Sequence, residues 1–210
     1  MRLDEALRDL PVVAIVRGVT PDEVVGIAEA LYAAGLRAIE VPLNSPEPFE
    51  SLRRLVAAFG DRMACGSGTV LTPADVDRVA EAGGGLVVSP NTDALVIRRA
   101  VERGLDVAPG VATATEAFQA IAAGARHLKL FPAATYGPGH LKQLKAVLPA
   151  EVVVLAVGGV GPEDMAAWWA AGARGFGLGG ELYRAGQSVA ETRAKAAKVV
   201  AAARASSDSR

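Results

Sequence analysis

The chain has 210 residues, with 22 basic and 23 acidic side chains and a formal net charge of −1. That balance gives no electrostatic reason to expect nucleic acid or an anionic membrane as a partner, and no apolar run is long enough to span a bilayer. Cys65 is the only cysteine, which excludes an internal disulfide, points to a reducing cytoplasmic setting and reads as a buried thiol.

Residues 2–8 predict a short amphipathic helix ahead of Pro11; they carry charges throughout and lack the apolar stretch of a signal peptide. Eight strand-like runs follow: VVAIVR (12–17), AIEVPL (38–43), MACGSGTV (63–70), LVVSP (86–90), LDVAPG (105–110), HLKLFP (127–132), VVVLAVGG (152–159) and GFGLGG (175–180). Each is followed by apolar residues at helical spacing. Pro21, Pro46, Pro73 and Pro162 stand where first helical residues are expected, and Gly35, Gly60, Gly83, Gly104, Gly124 and Gly172 mark stops. A final helix spans about 188–203, and residues 206–210 read as a polar, frayed tail after a single domain over 1–205. Strands alternating with helices predict a parallel sheet. Eight such units close into a single (β/α)₈ TIM barrel of α/β class; an open doubly wound sheet is the alternative.

Three of these runs hold a formal charge in an apolar context: Arg17, Glu40 and Lys129. Side chains alternate along a strand, so Leu128 and Leu130 oppose His127, Lys129 and Phe131. If Val16, Ile39, Val41, Leu128 and Leu130 face the helices, all three charges enter the barrel mouth. The second and sixth strands lie across the barrel, which lets Glu40 and Lys129 approach one another. Desolvation lowers a lysine pKa, and a neutral amine attacks ketones to form a Schiff base. The bland alternatives are a lysine snorkelling to water and a structural ion triad.

The run AVGGVGP (156–162) and the glycines of GLGG (177–180) form backbone turns suited to an anion, in the last two units where barrels hold phosphate. The match of 175–180 to G-x-G-x-x-G lies along a strand rather than after it, which argues against a dinucleotide. His127 and His140 are too few for the usual zinc sites; His127 reads as a core residue and His140 as a surface one. Neither cofactor nor metal is expected.

With these residues placed, the chain resembles the 2-keto-3-deoxy-6-phosphogluconate aldolase family. The likeness rests on AIVRG (14–18), IEVPLNSP (39–46), GSGTVLT (66–72), VVSPNTD (87–93), PGVATATEA (109–117), HLKLFPA (127–133), AVGGV (156–160) and GLGGELYRAG (177–186). Within the family, PLNSPEPF is similar to the 2-dehydro-3-deoxy-6-phosphogalactonate branch, since Pro42 and Asn44 stand where the gluconate branch tends to have threonine and arginine. The resemblance implies a metal-independent class I aldolase, a carbon–carbon lyase on a homotrimeric barrel, releasing pyruvate and glyceraldehyde 3-phosphate from a small phosphorylated keto-deoxy sugar acid. It makes Lys129 the Schiff-base lysine and Glu40 the general acid/base. Arg17 and Thr69 would contact the substrate's anionic end, Pro90 would shape the wall, and Gly158, Gly159, Gly179 and Gly180 would bind phosphate. Gly180 departs from the family, which often has serine there. Other readings are the same cleavage of the gluconate epimer or of 4-hydroxy-2-oxoglutarate, a phosphosugar isomerase or synthase, and a non-enzymatic sugar-phosphate-binding barrel.

Overall fold

The computed structural model describes residues 1–208. Helix α1 (Leu3–Asp9) precedes β1 (Val12–Ile15), after which helices and strands alternate: α2 (Val24–Ala34), β2 (Ala38–Pro42), α3 (Pro48–Phe59), β3 (Ala64–Gly68), α4 (Pro73–Glu81), β4 (Leu86–Val88), α5 (Ala94–Glu102), β5 (Asp106–Ala108), β6 (Gly110–Val111), α6 (Ala114–Ala122), β7 (His127–Leu130), α7 (Ala133–Lys145), β8 (Val153–Val157), α8 (Met165–Ala170), β9 (Gly175–Leu178) and α9 (Val189–Asp208).

All strand pairs are parallel, in the order β5-β4-β3-β2-β1-β9-β8-β7-β6. The two ends of that order, β5 and β6, are separated in the chain by Pro109 alone, so the sheet closes on itself as a barrel. Proline has no N–H for the ladder, which splits the expected fifth strand in two. Its carbonyl still accepts from Lys129 N at 2.8 Å and ties the halves to β7. The expected eight-unit barrel is present, and the open doubly wound alternative is excluded.

Strand alternation sorts the apolar residues into two cores. Val12, Ala14, Val16, Ile39, Val41, Cys65, Val87, Val107, Leu128, Leu130, Val154, Ala156, Phe176 and Leu178 pack outward against the helices. Val13, Ala38, Ala64, Leu86, Val88, Ala108, Leu155 and Val157 fill the barrel together with Leu3, Ala6 and Leu7 of α1. Inward-facing Gly66 and Gly177 make room for their larger neighbours: an added Cβ would lie 2.5 Å from the Leu86 Cβ and 2.7 Å from a Val157 methyl, respectively.

Helix α1 is thus a plug in the N-terminal end of the barrel. Arg2 pairs with Asp106 at 2.7 Å, the Leu3 N–H donates to the same carboxylate at 2.8 Å, and Asp4 meets the buried His127 Nε2 at 2.7 Å. This floor keeps the interior dry from below, leaving the opposite mouth as the way in.

Several local expectations are corrected. Helix α3 begins at Pro48 rather than Pro46, and the prolines at 21 and 162 lie in turns that precede α2 and α8. Gly60 does stop α3 as expected, in right-handed backbone where Gly35 after α2 is left-handed. Helix α9 continues to Asp208, into the stretch expected to fray, and Ser206 Oγ donates to Ala202 O at 2.9 Å; residues 209 and 210 lie outside the described residues. His140 is half-buried rather than a free surface residue: its Nε2 lies 2.6 Å from Ala112 O, and its ring packs on Tyr136. Among the described residues no helix is long and apolar enough to cross a membrane.

Because Leu3 is fully buried among barrel side chains, Leu3→Ala is expected to lower stability by ~2–4 kcal/mol. Urea unfolding would read this; a change of under ~0.5 kcal/mol would show that α1 is not part of the barrel core.

Candidate active site

The inward parity of β2 and β7 brings Glu40 and Lys129 to one chamber, floored by Leu3 and walled by Val13, Ile15, Leu86, Val88, Ala108, Leu155 and Val157. Above it opens a cleft of about 450 Å³ whose lining includes Lys129, Arg17, Thr69, Pro90, Phe131, Gly158, Gly159, Gly179 and Gly180. The residues singled out in the sequence therefore converge on one chamber and its mouth, drawn from every quarter of the barrel.

Glu40 is 2 % exposed and Lys129 7 %. Burial pushes the Glu40 carboxyl up to about 7, against the pull of Lys129, Arg17 and the Gly68 backbone. Burial likewise holds the Lys129 amine below the ordinary lysine value; the Glu40 charge opposes this and Arg17 adds to it. Both shifts have the same origin, because an apolar chamber disfavours whichever form is charged. They move the two groups toward each other on the pH scale, which eases the passage of a proton between them or to a bound molecule.

No hydrogen bond or ion pair joins the two directly, and Glu40 Oε2 has no hydrogen-bond partner within the protein. The free volume of the chamber they share is about 10 Å³, enough for a water; the room for a larger molecule lies in the cleft above, which Lys129 also lines. Lys129 Nζ instead sits 4.5 Å from the centre of the Phe131 ring, two residues along the same face of the chain. Glu40 leans against β3: a Cβ at Gly68 would fall 1.9 Å from Glu40 Oε2, so only glycine leaves the carboxylate its place.

Arg17 differs from expectation. It lies two residues beyond the end of β1 and is exposed, rather than set within an apolar strand. Its Nη1 donates to Asn44 Oδ1 in the connection after β2, which holds the guanidinium beside the mouth. Thr69, one residue beyond β3, has φ = 56°, an uncommon left-handed conformation for a β-branched residue and a sign of backbone strain at a cleft.

After β8 and β9 the backbone turns away from the barrel. Among the described residues the N–H groups of Gly159, Val160, Gly180 and Glu181 donate to no protein acceptor. Gly158 and Gly159 both have positive φ, and a Cβ on Gly159 would lie 2.6 Å from that of Ala134. Free N–H groups facing one cleft form a concavity suited to an anion. Among the described residues no group of three or more His, Cys, Asp or Glu side chains is placed to hold a metal ion.

Sequence reasoning missed Gly68, Asn44 and Phe131 as parts of this site. The parity of β7 carried a signal for Phe131, and the contact of Arg17 with Asn44 depends on loop geometry that no local pattern encodes. Gly68 faces the barrel by parity, but its need to be glycine emerges only once the Glu40 rotamer is known.

The raised Glu40 pKa makes stability depend on pH with a defined sign. Native Glu40 binds its proton more tightly than the unfolded chain does, so its contribution is complete below about pH 4.5 and declines as pH rises to about 7. Glu40→Gln removes that loss. Its melting temperature relative to wild type is expected to rise between pH 4.5 and 8, by the equivalent of up to ~3 kcal/mol. A difference independent of pH would contradict the raised value.

Comparison with known proteins agrees with this geometry. The family description "KDPG and KHG aldolase" matches residues 3–199. The 2-dehydro-3-deoxy-6-phosphogalactonate aldolase of Escherichia coli (strain K12) is 53 % identical over 93 % of this chain and 95 % of its own. A solved structure described as native KDPGal superposes with a TM-score of 0.93 at 52 % identity, covering 95 % of this chain and 97 % of that one. The KDPG aldolase of Legionella pneumophila, solved with pyruvate captured as a covalent carbinolamine intermediate, superposes with a TM-score of 0.80 at 25 % identity over 95 % of each chain. With the barrel, its buried amine–carboxyl pair and these relatives in agreement, the chain belongs to the KDPG and KHG aldolase family.

Proposed function

We propose that this protein is a class I aldolase that cleaves 2-dehydro-3-deoxy-6-phosphogalactonate to pyruvate and glyceraldehyde 3-phosphate. The observation that carries the reading is a pair of buried, electrostatically coupled groups lining one chamber: an amine whose hold on its proton is weakened and a carboxyl raised to about 7. The galactonate epimer is chosen on the 53 % identical E. coli enzyme of that name and on Pro42 and Asn44.

In this reading neutral Lys129 adds through its lone pair to the C2 ketone, giving a carbinolamine. Protonated Glu40 gives its proton to the C2 hydroxyl, which leaves as water, and an iminium forms. The carboxylate so produced takes the C4 hydroxyl proton, directly or through a water. The C3–C4 bond then breaks, its electrons flowing into the iminium to make an enamine as the aldehyde leaves. Protonation at C3 and hydrolysis release pyruvate and restore the amine. An exposed lysine, charged at neutral pH, could not begin this sequence; an ion-paired carboxylate of ordinary pKa would be a poor donor.

Arg17, held by Asn44, and the Thr69 backbone turn would contact the keto acid's carboxylate, and Pro90 would form the wall beside them. The free N–H groups around Gly158, Gly159, Gly179 and Gly180 would receive the phosphate. We further place the protein in the cytoplasm as a trimer. The family resemblance supports that assembly.

Borohydride added in the presence of pyruvate is expected to fix a covalent adduct on Lys129, located by mass spectrometry of the digested protein, and Lys129→Met to abolish it. An adduct-free protein that still interconverts phosphosugars would favour an isomerase. Pyruvate release from both C4 epimers gives the branch: preference for the galactonate compound is expected, and preference for the gluconate compound would overturn the substrate while leaving the chemistry.

A further inference from the structure

The segment after β9 holds a cation that the mechanism above does not use. Leu182 and Tyr183 N–H both donate to Gly179 O, at 2.8 and 2.9 Å, and close one helical turn. The turn carries Arg184 back over Gly180. A Cβ added at Gly180 would lie 3.5 Å from Arg184 Nε and 3.9 Å from Nη2, with no other contact within 4 Å. The guanidinium thus stands at van der Waals distance from where a Cβ at position 180 would lie, beside a glycine that lines the cleft.

The turn itself is braced from behind. Lys195 Nζ donates to Gly180 O at 3.3 Å and to Gln187 Oε1 at 2.6 Å, while Gln187 Nε2 donates to Leu182 O at 2.7 Å and Thr192 Oγ1 at 2.9 Å. Arg184 is exposed, and among the described residues its side chain makes no hydrogen bond or ion pair. A fixed backbone carrying an unengaged guanidinium suits capture of an oxyanion from solution.

Charge gives the reason it is needed. The cleft's lining includes three carboxylates, Glu163, Asp164 and Glu181, against Arg17 and Lys129. Asp164 is occupied by the Gly161 N–H at 3.0 Å, Arg17 is tied to Asn44 near β1, and Lys129 is held toward neutrality. At the glycine end a phosphate ester, carrying nearly two negative charges, would meet backbone dipoles and the carboxylates of Glu163 and Glu181. Arg17 follows the strand that pairs with β9, and its neighbour Gly18 packs against Ala185, so Arg184 would supply a second guanidinium beside it. Guanidinium pairs with phosphate oxygens through two parallel N–H donors, stronger than neutral hydrogen bonds.

Building on the reading of this cleft as a phosphate-ester site, we propose that Arg184 is a phosphate-binding residue: its guanidinium closes over Gly180 onto the ester and sets the preference for phosphorylated substrates. It touches the phosphate end only, far from the bond that breaks.

The test compares wild type, Arg184→Gln and Arg184→Lys on the phosphorylated sugar acid and its dephosphorylated counterpart, with kcat and KM read separately and inorganic phosphate titrated as a competitive inhibitor. Arg184→Gln is expected to raise KM for the phosphorylated substrate and the phosphate inhibition constant by about tenfold. The ratio of kcat/KM for phosphorylated over dephosphorylated substrate should fall by the same factor, with Arg184→Lys intermediate. A ratio and inhibition constant unmoved by the glutamine variant, or an equal loss on both substrates, would overturn the assignment. Should wild type itself show no preference for the phosphorylated compound, the phosphate reading of the cleft fails first, and the role of Arg184 with it.

Discussion

The site depends on two ionisable groups sharing one apolar chamber closed from below. Water would solvate an ammonium and a carboxylate separately and leave each at its ordinary pKa. Inside the barrel neither charge is well solvated, and the missing direct contact between Lys129 and Glu40 keeps them from simply neutralising one another as an ion pair. The chamber therefore weakens the amine's hold on its proton and raises the Glu40 carboxyl to about 7, the condition that the proposed chemistry uses. Much of the rest of the fold can be understood as maintaining that condition.

Helix α1 supplies the floor, its Leu3, Ala6 and Leu7 filling the end of the barrel that active sites do not use. Strand alternation supplies the walls. Inward-facing glycines on β3 and β9 leave volume for Leu86, Val157 and the Glu40 carboxylate rather than forming a pore. The loops at the other end carry the groups proposed to meet ligand: the Arg17–Asn44 contact, the strained Thr69, the open glycine turns and the guanidinium of Arg184. The division follows stability requirements. Buried charge is tolerated where the barrel over-determines it, and the adaptable groups sit on connections that can move without opening the core.

How much of this the sequence disclosed depended on range. Period-two alternation along 38–42 and 127–130 placed Glu40 and Lys129 on the inner face, and the strand count placed them across the ring; both readings match the structure. Local rules faltered where tertiary context competes with them. Pro46 looked like a helix start, yet the helix waits for Pro48. Pro109 interrupts a strand that its apolar neighbours would continue. Arg17 follows an apolar run but leaves it for solvent, because the strand ends at Ile15 before the charge arrives. Gly68 and Arg184 belong to a further class. Their importance lies in which atoms stand over a missing Cβ, a relation between segments distant from the glycine's own sequence motif or around a turn, and no periodicity announces it.

The central claim is that the barrel interior keeps the position-129 amine from holding its proton as a free lysine does. Titration of the protein with ¹³Cε-labelled lysine, followed by NMR and with the signal identified through Lys129→Met, measures this directly. The account predicts a midpoint clearly below the ordinary lysine value of about 10.4, moving further down in Glu40→Gln, where the opposing carboxylate is gone. A midpoint at or above the ordinary value would contradict it.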